Sequence, residues 1–203
     1  MDVQLLMRLL HVLGVVVMGA GLVGVWMTDL RSRQLQDLAS FAEAIRTIAV
    51  FYDGLVVPGA LMLMASGIWF VVSVYGGWNA LEVPWLVGMA GLFAFEFVEG
   101  NTVTRMHFMR LRRLSRVALA LGEITPELAR RRADVTPTFT HFLDLPILFL
   151  IIALGVTRPD DWAVFLAGSA TALVVATALS VAVPRLYPWR TEIGRRVAAS
   201  AAS

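Results

Sequence analysis

The sequence predicts an all-α integral membrane bundle of five transmembrane helices, with the amino terminus outside and the carboxyl terminus in the cytoplasm. Three observations carry this. Of the 203 residues, 58% are hydrophobic and 16% charged, whereas soluble domains run about 25% charged. Five apolar runs cover residues 5–27, 49–75, 83–108, 137–156 and 162–183, and a helix needs ~20 apolar residues at ~1.5 Å each to cross the hydrocarbon. The third observation is where the arginines fall. Arg31, Arg33 and Arg46 follow the first run. Arg105, Arg110, Arg112, Arg113, Arg116, Arg130, Arg131 and Arg132 follow the third. Arg185, Arg190, Arg195 and Arg196 follow the fifth. These loops share one side of a five-span protein, and only Arg8 and Arg158 lie elsewhere. Basic loops stay in the cytoplasm, so the expected location is the bacterial inner membrane, crossed several times.

Composition also excludes chemistry. Without cysteine there are no disulfides, thiolate metal sites or thiol catalysis. All 17 basic residues are arginine, which removes Schiff-base chemistry and a Walker-type lysine. The sequence pI near 9.7 is explained by basic loops facing anionic lipid. The partners expected are the lipid bilayer and either another membrane subunit or a second copy of the chain, with no nucleic acid.

The first run, LLMRLLHVLGVVVMGAGLVGVWM, is too long for a signal-peptide core and lacks a basic leader, so it is expected to remain in the mature protein. Gly14, Gly19, Gly21 and Gly24 thin one side of it, and Ala20 and Gly24 form a small-xxx-small pair. Such a side accepts a neighbouring helix or a flat cofactor. Between Thr28 and Arg46 the chain is polar, yet Leu35, Leu38, Ala39, Ala42, Ile45 and Ala49 recur at helical spacing. This predicts an amphipathic helix on the membrane surface feeding the second span. Pro58-Gly59 predicts a kink in that span, and Gly76-Gly77-Trp78-Asn79 a tight turn. The third helix is expected to project beyond the lipid as far as Gly122, with Thr125 capping a fresh helix that has Pro126 at its first position. Residues 184–203 form a basic, alanine-rich tail expected to fray.

Ionisable groups inside a bilayer are costly and usually functional. His11 lies roughly 9 Å below the outer surface. It reads either as an axial haem ligand or as a donor to a carbonyl on the next helix. Met89 on the third run, or Met62 or Met64 on the second, would stand at a matching depth as a second ligand. His141 is too deep to face His11 across one iron, by roughly 15 Å. Glu96 lies near the midplane and Glu99 one turn deeper on the same face. With Asp53, His141 and Asp144 they make an intramembrane polar cluster that could relay protons or bind a cation. The structural alternative is neutralisation by Arg105 and its neighbours. Asp53 and His107 are shallow enough to reach water. No catalytic residue is assigned.

LLMRLLHVLG, the aspartate and Pro-Gly break from Asp53 to Gly59, and the short loop Thr157-Arg158-Pro159-Asp160 carry a resemblance. The chain resembles an uncharacterised bacterial family of small predicted integral membrane proteins from about Leu5 to Asp161, leaving the fifth span outside. That family is distantly similar to the haem-b membrane protoporphyrinogen oxidase and to copper-resistance D membrane proteins. The resemblance implies a haem-ligand role for His11 and for no other residue. Three functions are therefore expected in turn: a redox-associated protein holding b-type haem through His11; a small proton-coupled transporter using Glu96, Glu99 and Asp144; and a non-catalytic subunit of a membrane complex.

Overall fold

In the computed structural model, which describes residues 2–189, every regular element is helical. Helix α1 runs Val3–Gln34, opened by Asp2, whose carboxylate accepts from the Gln4 amide. Helix α2 (Leu38–Phe51) passes through a π-helical turn, Tyr52–Val56, into α3 (Val57–Ser73). Gly76 and Gly77 take positive φ and lead through a 3₁₀ turn, Gly77–Glu82, to α4 (Pro84–Glu99). A second π turn, Gly100–Thr104, joins α4 to α5 (Arg105–Leu121). Helices α6 (Pro126–Arg132), α7 (Val135–Thr157) and α8 (Ala163–Leu186) follow. Taken through their π turns and short breaks, the described residues hold five helices long and apolar enough to cross a membrane, as the fold class requires.

The polar stretch 28–46 does not lie on the membrane surface. Its start is the end of α1, and its remainder is the first part of α2, which stands upright as a continuation of the second span. The apolar periodicity faces protein rather than lipid. Leu38, Phe41, Ala44, Ile45 and Ile48 are buried, and most of them share a core with Leu111 and Ala118 of α5 and Leu128 of α6. The reason is length. Leu38–Ser73 has 36 residues, which rise roughly 54 Å against ~30 Å of hydrocarbon. The surplus of α1, α2 and α5 gathers with α6 at the arginine-rich end into a small cap. Outside lipid, the hydrophobic effect holds such a cap at ~25 cal/mol per Å² buried. Within lipid that drive is absent, and close packing replaces it.

Close packing is what the α1 glycines provide. A Cβ on Gly14 would meet Leu63 and the Gly59 carbonyl, one on Gly21 would meet Leu55 and Val56, and one on Gly24 would meet the Phe51 ring. The seam therefore runs through Gly14 and Gly21, seven apart, and is filled by the second span. Ala20 is exposed, so the Ala20/Gly24 pair is not the seam.

The irregularity expected at Pro58-Gly59 sits a turn earlier. Proline removes one backbone donor and crowds the preceding turn. Here the preceding turn is widened, with the Val57 amide reaching back to the Tyr52 carbonyl. Gly122, at φ 74°, ends α5, and the Thr125 hydroxyl accepts from the Leu128 amide to open α6 on Pro126. Helix α8 continues through Pro184 to Leu186, while residues 190–203, with Arg190, Arg195 and Arg196, lie outside the described residues. Helix α1 packs on α2, α3 and α7, and α7 packs on α4 and α8. The segment just after α3 meets the start of α4 where the Tyr75 and Trp85 rings stand 5.8 Å apart.

Candidate functional site: a carboxylate cluster between two π turns

Both π turns border one polar cluster. A π turn adds a residue to a helical turn and re-aims the side chains around it, and such turns recur at functional sites. The first turn carries Tyr52. The second begins just after Glu96 and Glu99 and ends on Thr104. Helix α7 supplies Asp144. All five side chains are buried. The Tyr52 hydroxyl donates to Asp144 Oδ2 at 3.3 Å. Thr104 Oγ1 donates to Glu99 Oε1 at 2.7 Å and lies 2.9 Å from Thr140 Oγ1. The Glu99 and Asp144 carboxyls are close enough to influence each other electrostatically.

Glu96 differs from its neighbours. It is 4% exposed, and neither carboxyl oxygen has a hydrogen-bond partner. It helps line a cavity of about 20 Å³ with Met18 and Leu22 of α1, Val57 and Ala60 of α3, Phe97, Asn101, Tyr52 and Asp144. That volume holds about one water-sized group. A bare carboxylate in such surroundings is expensive unless a proton or a cation compensates it.

The sequence offered Arg105 as that compensation. The structure turns Arg105 the other way: its Nη2 pairs with Asp53 Oδ1 at 2.7 Å, with side chains 33% and 45% exposed. Asp53 therefore stands outside the cluster, in the paired surface role open to a shallow aspartate. Glu96 and Asp144 line one cavity, and Glu99 lies beside them.

His141 belongs to a neighbouring site nearer the arginine-rich end. Its Nε2 is 3.9 Å from Asp29 Oδ2, which also takes the Arg33 Nε at 2.9 Å in a buried pair. Neither His141 ring nitrogen makes a hydrogen bond, while its carbonyl accepts from the Trp26 indole. His107 is buried too, edge-on to Phe108. Arg33 stacks on Trp189, 4.4 Å from the ring centre. Sequence reasoning passed over Asp29 and Arg33 because it ended the first helix at Met27. Their i, i+4 spacing was the available signal.

His11 sits apart in the other half. Its Nδ1 lies 2.9 Å from Ser66 Oγ. Ser66 gives its own proton to the Met62 carbonyl at 2.6 Å, so the hydroxyl oxygen accepts from the imidazole. Phe70 stands edge-on at 5.6 Å. Met89 packs toward α7, its sulfur 3.4 Å from where a Cβ on Gly155 would stand. Among the described residues, no group of three or more His, Asp or Glu is arranged to hold a metal ion.

Residues 5–159 match the family described as predicted integral membrane protein (DUF2269). The match runs from α1 through α7 and stops before α8. No curated protein and no solved structure matches the chain.

Proposed function

The chain belongs to the DUF2269 family of predicted integral membrane proteins, and we propose that it is a small proton-coupled transporter whose proton-exchanging site is Glu96, Glu99 and Asp144. The observation that carries this is Glu96, buried at mid-span with both oxygens unpartnered and bordering a cavity. Tyr52 and Thr104 hold the other two acids in place, which leaves Glu96 as the group free to change partner. In this reading the arginine-rich end faces the bacterial cytoplasm and the amino terminus faces outward. Infrared difference spectroscopy across a pH titration tests it. The expected result is a carboxylic-acid C=O band that Glu96→Gln removes, together with loss of uptake in proteoliposomes. A spectrum indifferent to that substitution overturns the reading.

A second reading puts the iron of b-type haem on His11, as the likeness to the membrane protoporphyrinogen oxidase implies. One observation favours it. Ser66 engages Nδ1, which leaves the Nε2 lone pair for a metal, in the way an outer partner fixes a ligand's tautomer. The α1 glycines do not cradle a porphyrin, because the second span fills Gly14, Gly21 and Gly24. An absorption spectrum of the purified protein decides. The absence of a Soret band, or a band unchanged in His11→Ala, removes this reading.

A further inference from the structure

We infer that the Glu96 cavity is a binding site for the ammonium group of a small primary amine, taken up in exchange for a proton. The inference rests on the proton-exchange reading of Glu96 and names the substrate class of that site.

The cavity wall is mainly apolar, and the polar side chains on it are Glu96, Asp144, Asn101 and Tyr52. Glu96 lines it, and both of its carboxyl oxygens are buried without a hydrogen-bond partner. Asp144 adds a second carboxylate, already given the one proton that Tyr52 can offer. Asn101 spends one amide proton on the Phe97 carbonyl, which leaves its oxygen as an acceptor and its second N–H as a donor. An occupant that satisfies the unpartnered Glu96 carboxyl carries hydrogen-bond donors and positive charge, and one that suits the rest of the wall is otherwise small and apolar. An ammonium group has that inventory.

The size agrees. The space of about 20 Å³ takes a head group rather than a bulky quaternary ion. Around it, Met18, Leu22, Val56 and Ala60 form an apolar wall suited to a short alkyl chain. Helix α3 supplies Val57 and Ala60 to the cavity wall, and α4 supplies Glu96 and Phe97. The exchange balances in charge and atoms. The neutral Glu96 acid loses its proton to water as the ammonium ion enters, and the carboxylate left behind forms the ion pair. No bond in the amine is made or broken.

The test uses the full chain purified in detergent, with labelled methylammonium as the probe and a weakly buffered solution to register proton release. Saturable binding with about one proton released per cation is expected. Tetramethylammonium, which has the charge but no N–H, should fail to compete. Glu96→Gln should weaken binding about tenfold to a hundredfold, the range of one charge-assisted contact, and abolish proton release. Glu96→Asp keeps the carboxylate and should keep both, which separates loss of the group from loss of the fold. Asp53→Asn should bind as wild type. No saturable binding, binding without proton release, or equal competition by tetramethylammonium overturns the inference. If the Glu96 carboxyl band titrates while methylammonium does not bind, this inference falls and the proton-exchange reading stands. If that band is missing, both fall.

Discussion

Gly59 of α3 lies against the backbone of Met18 of α1 so closely that a Cβ there would stand 2.5 Å from the Met18 nitrogen. That atom is backbone and cannot swing aside. Gly59→Ala must therefore push the two helices apart at the seam that also carries Gly14 and Gly21. Overpacking of this kind costs ~1–3 kcal/mol. Thermal unfolding in detergent should show a lowered midpoint. Gly67→Ala, on the same helix with nothing within 4 Å of the added carbon, should be neutral or gain up to ~1 kcal/mol from helix propensity. Equal effects at both glycines would mean that the seam is not what holds these helices together.

Asp29 and Asp53 each pair with an arginine, and their substitutions should differ sharply. Asp29→Asn leaves Arg33 as a buried, uncompensated guanidinium, since that pair is only 3% and 4% exposed. Breaking such a pair costs ~3–5 kcal/mol. The Asp53–Arg105 pair is a third to nearly half exposed, and exposed pairs are worth ~0–1 kcal/mol. The check is a comparison of unfolding midpoints for Asp29→Asn and Asp53→Asn. A larger loss at Asp53 would contradict the burial that separates them.

The five helices were legible in the sequence because lipid imposes a length and an apolar content that few other settings share. The Glu96/Glu99/Asp144 cluster was legible for a related reason: an acid within an apolar run has a depth, and depths can be compared. The upright cap was not legible. Ile45 and Leu38 show a periodicity that a membrane surface and a protein neighbour would satisfy equally, and choosing between them needs α5 and α6 in place. Tyr52 and Thr104 were missed because their roles depend on π turns, which shift the register by one residue and leave no mark on composition. Asp53 was grouped with the acids by depth alone, and the direction in which it points is set by the first of those turns.

Asp37 gives a pH dependence whose sign can be worked out. Its carboxylate caps α2 by accepting from the Ser40 amide at 2.7 Å, and that backbone bond holds its pKa below the ordinary aspartate range. A lowered folded-state pKa means the cap contributes fully above the unfolded value, ~3.9, and is lost as pH falls through the folded value. Asp37→Ala should therefore lower stability at neutral pH, by about 1 kcal/mol for a typical cap. The difference from wild type should shrink in acid. Unfolding midpoints of both proteins near pH 7 and near pH 3 measure it, and a difference that grows in acid would contradict the assignment.

Tyr52→Phe and Thr104→Val each remove one donor from the cluster, and the two bonds are unequal. Thr104 reaches Glu99 at 2.7 Å, whereas Tyr52 reaches Asp144 at 3.3 Å. A shorter bond to a carboxyl group is the stronger, and stranding a buried acceptor costs ~1–3 kcal/mol. Thr104→Val should therefore fall toward the upper end of that range and Tyr52→Phe toward the lower. Thr104 also joins Glu99 to Thr140, so its loss uncouples two helices, whereas Tyr52 serves Asp144 alone. Infrared spectra should show the Glu99 carboxyl band moving in Thr104→Val and the Asp144 band moving in Tyr52→Phe. The double variant should depart from the sum of the singles, because Glu99 and Asp144 are electrostatically coupled and coupled neighbours do not add. Strict additivity, or a costlier Tyr52→Phe, would mean that the three acids do not act as one unit.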